Sequence, residues 1–65
     1  LTLTSAQYKA EIKKMGLTPA KPSYDGATIH RTAAGDHVSV PDPDTLEPEQ
    51  RPIAIAVIKS RLMLF

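Results

Sequence analysis

Residues 28–40 read Thr28-Ile29-His30-Arg31-Thr32-Ala33-Ala34-Gly35-Asp36-His37-Val38-Ser39-Val40, and how they pair decides the fold. β-branched Thr28, Ile29 and Thr32 favour an extended chain, a short glycine-bearing segment interrupts it, and His37-Val38-Ser39-Val40 alternates polar with apolar. This is the pattern of a β-hairpin, in which period-two alternation sends one side of each strand to a core and the other to water. With residues 33–36 as a four-residue loop, Thr32 pairs with His37, Arg31 with Val38, His30 with Ser39 and Ile29 with Val40. On that register Ile29, Val38 and Val40 face the core with Arg31 at the rim, while Thr28, His30, Thr32, His37 and Ser39 share the polar face. A slip of one residue would exchange the faces, so expectations for the histidines hang on the loop length.

N-terminal to the hairpin, Thr4 and Gln7 have the spacing of a capping box, with Leu3 and Tyr8 placed as a hydrophobic staple across it. Tyr8, Ile12 and Met15 then recur at helical intervals, with Lys9, Glu11, Lys13 and Lys14 on the remaining surface. Gly16 can adopt the left-handed conformation that ends a helix, and Leu17 can fold back on Ile12. The spacing predicts a helix over residues 5–15. Pro19 and Pro22 make the next segment a stiff connector or an edge strand around residues 20–24, and Tyr24-Asp25-Gly26 signals a turn.

After the hairpin, residues 41–49 are acidic and carry three prolines, which predicts an exposed, semi-rigid loop. Pro48 opens a helical pattern, although Pro52 would lose a hydrogen bond as its fifth residue, so the regular helix is expected nearer Arg51. Residues 53–65 fit either period. Their length, their alanines and the basic Lys59 and Arg61 near the end favour a helix over a strand. On it Ala54, Ile55, Ile58, Leu62 and Phe65 gather on one face, while Ile53, Val57 and Leu64 extend the apolar surface beyond it. Those three are the expected oligomer interface, and a homodimer is the expected assembly.

The 65 residues fit one domain near the lower size limit for a single core, and without cysteine neither a disulfide nor a thiolate metal site can reinforce it. A net charge of +1 lacks the basic footprint of a dedicated nucleic-acid or membrane binder. No apolar run is long enough to cross a bilayer and no signal-peptide pattern opens the chain, so a cytoplasmic protein is expected. His30 and His37, if on one face, could act as acid and base on RNA, and are the candidate catalytic residues. With Asp36 they could also hold a metal, but polar display to water is the simpler reading, and no metal site or cofactor is assigned. The second candidate surface is partner-binding: Asp42, Asp44, Glu47 and Glu49 on the stiff loop, with Thr28 and Thr32 beside them, suited to a basic protein surface.

The first helix ending in Gly16-Leu17, the strand His37-Val38-Ser39-Val40-Pro41 and the helix after a proline-bearing loop resemble the HicA-type toxins of bacterial toxin–antitoxin pairs. The resemblance implies a double-stranded-RNA-binding-domain-like fold and cleavage of messenger RNA by a histidine in a Gly-Ser-His-His stretch. The matching stretch here is Gly26-Ala27-Thr28-Ile29-His30, with Thr28 where that histidine would stand, so no catalytic residue carries over. The element order itself predicts an α+β fold, a small antiparallel sheet of a hairpin, with or without a third edge strand, packed on two helices. The expected function is a small non-enzymatic interaction module that regulates or inhibits a protein partner. The alternative is a HicA-like RNA-binding protein or ribonuclease using the hairpin histidines.

Overall fold

The computed structural model describes residues 1–22 and 25–64. Tyr24 at the start of the turn signal, the far end of the suggested edge strand, and Phe65 on the helical face lie outside the described residues. In chain order the elements are α1 (Ser5–Lys14), β1 (Thr18–Pro22), β2 (Ala27–Arg31), β3 (His37–Pro41), a 3-10 turn (Pro43–Thr45) and α2 (Gln50–Leu62). The strands form one antiparallel sheet in the order β1-β2-β3, so the expected α+β architecture is present. β1 is an edge strand, where Pro19 and Pro22 leave no ladder donor wanting, and its pairing is offset around Ala20.

α1 begins as expected. Thr4 accepts from the Gln7 amide at 3.1 Å and the Gln7 side chain accepts from the Thr4 amide at 2.9 Å. It ends one residue earlier than expected, before Gly16, whose φ is +78°. α2 starts at Gln50, which makes Pro52 its third residue. The first four helical amides have no intrahelical acceptor, so the missing N–H of Pro52 costs the helix nothing. At the other end Met63 takes a left-handed conformation, and the Leu64 amide donates to the Lys59 carbonyl at 2.9 Å, a Schellman closure reached without glycine.

The hairpin register differs from the expectation by one residue. Thr32, not Ala33, opens the closing turn: its amide donates to the Asp36 carbonyl at 2.8 Å, and its carbonyl accepts from Gly35 at 3.0 Å. The loop is therefore three residues, with Gly35 at φ +92° supplying the left-handed step that such loops require. Arg31 pairs with His37, His30 with Val38, Ile29 with Ser39 and Thr28 with Val40. Thr28 and His30 consequently join Val38 and Val40 on the helix-covered face, while Ile29, Arg31, His37 and Ser39 lie on the other.

The core consists of Tyr8, Ile12, Leu17, Val40, Ile55 and Ile58, with Leu3, Val38, Leu46, Ala54 and Leu62 packed around it. Both helices and one sheet face contribute. A domain of this size is stable by roughly 3–10 kcal/mol, and a buried Ile-to-Ala change costs about 2–5 kcal/mol. Each core side chain is therefore a large fraction of the whole.

The turn before β2 is equally constrained. Gly26 has φ +66°, and a methyl in place of its α-hydrogen would stand 2.6 Å from Thr45 Cγ2. Thr45 cannot readily turn aside, because its hydroxyl donates to the Asp42 carbonyl at 2.7 Å. Gly26→Ala should lower unfolding free energy by about 1–3 kcal/mol in urea titration, combining backbone strain with the clash. Adding Thr45→Ser, which removes the obstructing methyl, should recover part of the loss. An unchanged midpoint in Gly26→Ala would contradict this geometry.

Candidate functional site

The register change concentrates polar chemistry beneath α1. His30 is almost wholly buried, and its Nδ1–H donates to its own strand's Thr28 carbonyl at 2.9 Å. That bond places a proton on Nδ1 and leaves Nε2 as the outward nitrogen. Among the described residues no buried polar side-chain atom lacks a partner. His30 lines a cavity of about 470 Å³ between α1 and the sheet. Ile12, Leu17, Pro19, Pro41 and Pro43 make its apolar walls, Thr28, His30 and Asp42 its polar floor, and Lys9 and Lys13 its rim.

Asp42 fixes the floor. Its carboxylate accepts from the Thr28 hydroxyl at 2.7 Å, its amide donates to the Gly26 carbonyl at 2.8 Å, and its carbonyl accepts from the Thr45 amide and hydroxyl. Tyr8 reaches down from α1 and donates to the Pro41 carbonyl at 2.7 Å. Arg51 ties the far side: its Nε donates to the Pro43 carbonyl at 3.0 Å and its Nη1 to the Leu3 carbonyl at 2.9 Å. Three separate segments are thereby pinned on backbone acceptors.

The sequence-derived candidates divide accordingly. Thr28, His30 and Asp42 meet at one cavity. His37 lies on the opposite, uncovered face, so the two histidines do not share a face and cannot address one phosphate as acid and base. Thr32 is used within the hairpin loop, where its hydroxyl accepts from the Asp36 amide at 3.1 Å. Asp44, Glu47 and Glu49 are exposed, but Asp42 is half-buried and bonded, so the acidic loop presents three free carboxylates where four were expected. Ile53, Val57 and Leu64 are exposed on and just beyond α2. Among the described residues no group of three or more His, Asp or Glu side chains could hold a metal ion, so Asp36 does not join the two histidines in a ligand set. No helix among the described residues is long and apolar enough to cross a membrane.

Sequence reasoning missed Tyr8 and Arg51 as organising polar groups. Their acceptors lie 33 and 48 residues away, or eight residues along for Pro43, at backbone carbonyls that leave no side-chain signature. No protein-family model matches the chain, and no curated protein or solved structure matches it.

The Tyr8 phenol is pushed up to about 12, first because burial disfavours the phenolate and then because Asp42 repels it, with Arg51 opposing. The folded state therefore holds this proton more tightly than the unfolded chain, whose tyrosine titrates near 10.0. The resulting stability is fully present below pH 10 and is lost as pH rises through 12. Urea midpoints should fall across that window. Tyr8→Phe should cost about 1–2 kcal/mol at neutral pH by leaving the Pro41 carbonyl without its donor, and should flatten the alkaline decline. A decline as steep in the variant as in the parent would contradict the assignment to Tyr8.

Proposed function

We propose that the chain is a small non-enzymatic interaction module whose working surface is the outer face of α2, and that it regulates a protein partner by docking there. One observation carries this reading. Ile53 is 64% exposed and Val57 44%, one turn apart on a helix whose opposite side already supplies Ile55 and Ile58 to the core. The chain has little apolar side-chain mass to spare for a core, so leaving two β-branched side chains in water is a marked use of it. Ala56 and Ser60, both exposed, lie beside them and allow close approach of another backbone. The separation of His30 from His37 supports the non-enzymatic reading, since it removes the acid–base pair from one face.

A second reading has its own observation. His30 lines a cavity that Lys9 and Lys13 also border, beside Thr28 at the position that the HicA-type resemblance gives to a catalytic histidine. That arrangement suits an anionic ligand such as RNA. The two readings separate in one experiment, using the tagged chain as bait in extract of its native host. Ile53→Asp/Val57→Asp should keep the wild-type melting curve, because both side chains are exposed, and should lose the captured protein. Capture unaffected by the double substitution overturns the α2 reading. Recovery of RNA that depends on His30, tested with His30→Ala, favours the second.

A further inference from the structure

Four exposed residues follow one another at four-residue intervals along α2 and its cap: Glu49, Ile53, Val57 and Arg61. Residues at that spacing form a ridge on a helix, one of the two kinds that interlock when helices pack. The ridge is acid, apolar, apolar, base, and is symmetric in position about Ile55. Glu49 and Arg61 are equally distant from that midpoint, and so are Ile53 and Val57.

Resting on the interaction-module reading, we infer that the partner is a second copy of this chain, docked α2 against α2 in an antiparallel two-fold pairing. In it Ile53 of each copy packs on Val57 of the other, and Glu49 of each copy meets Arg61 of the other. The two-fold axis crosses the contact at the level of Ile55 along the helix, between Ile53 and Val57. A two-fold interface requires a self-complementary patch, and charge of opposite sign at equal distances from a shared apolar centre is that property. Parallel pairing would set Glu49 on Glu49 and Arg61 on Arg61, which like-charge repulsion opposes. Arg51 and Lys59, also equidistant from Ile55, do not reproduce this repulsion in the antiparallel arrangement. Arg51 is turned inward onto the Pro43 and Leu3 carbonyls, and both side chains are half-buried off the ridge. Ala56 and Ser60 keep the adjoining row low, and packing of two such ridges sets the helices at about −50°.

Four side chains per copy make a small interface, in the class of weak and transient contacts, so the dimer should form at concentrations around 0.1 mM. Sedimentation equilibrium of the purified chain tests it. Wild type should fit a monomer–dimer equilibrium, and Glu49→Arg or Arg61→Glu alone should weaken self-association by about tenfold. An equimolar mixture of those two variants should regain the wild-type affinity, because each then offers the other opposite charges at both ends. Failure of the mixture to recover, or growth beyond dimers, overturns the pairing.

Charge reversal at the helix cap also disturbs folding, so a second measurement leaves the charges intact. The chain has no cysteine, and a mixture of Ile53→Cys and Val57→Cys chains should oxidise mainly to the mixed disulfide. Equal yields of mixed and like-with-like products overturn the register. A wild-type chain that stays monomeric at about 1 mM removes the second copy. Capture of a different protein that depends on Ile53 and Val57 would still leave the broader reading standing, and loss of both removes both.

Discussion

The closure of the hairpin by Thr32 and Asp36 across three residues is the constraint from which the working surfaces follow. Thr32 contributes its amide, carbonyl and hydroxyl to this closure, and Gly35 supplies the one left-handed residue that it needs. Once it is made, every pair downstream is determined, because a strand has only two faces. His30 must then lie under α1 and Ile29 on the uncovered side, although hydrophobicity alone ranks them the other way. The inversion is tolerable because the Nδ1 proton of His30 is satisfied by the Thr28 carbonyl and the residue borders the cavity. An imidazole placed there without either outlet would carry the penalty of a buried polar group, about 1–3 kcal/mol.

A second consequence concerns how so short a chain is held together. Among the described residues six apolar side chains are buried in the core, and polar side chains reaching distant backbone carbonyls supplement them. Tyr8 joins α1 to the end of β3, Asp42 joins β2 to the 3-10 turn, and Arg51 joins α2 to both that turn and the N-terminal segment. The Tyr8–Pro41 and Arg51–Leu3 bonds span 33 and 48 residues, so each restricts the chain more than a local bond would. Because this network lies on the inner side of α2, the outer ridge from Glu49 to Arg61 has no part in it. That ridge is exposed and takes no part in holding the fold together.

Much of the fold was legible in the sequence, and its legible parts are the local ones. The capping box at Thr4 and Gln7, the stop at Gly16, the proline-marked edge strand and the apolar face of residues 54, 55, 58 and 62 each depend on neighbours within one turn. α2 begins one residue before the expected Arg51, because a start at Gln50 brings Pro52 into the first turn, where its missing donor is harmless. In the hairpin, apolar alternation and turn chemistry favour different registers, and the turn wins. Ala-Ala-Gly with glycine third was the available signal for the shorter loop. At the site, Thr28 and Asp42 are both legible as candidate partner-binding groups, but their bond to each other is not, because a four-residue loop turns Thr28 to the outer face. The exposed Ile53 and Val57 were legible because α2 carries more apolar residues than one face can hide.

The register itself is the most direct thing to measure. Cross-strand nuclear Overhauser contacts between β2 and β3 should connect His30 with Val38, Arg31 with His37 and Thr28 with Val40, as the observed pairing requires. Contacts joining His30 to Ser39 and Ile29 to Val40 would contradict it. They would return both histidines to one open face and remove the basis for assigning the free surface to α2 alone.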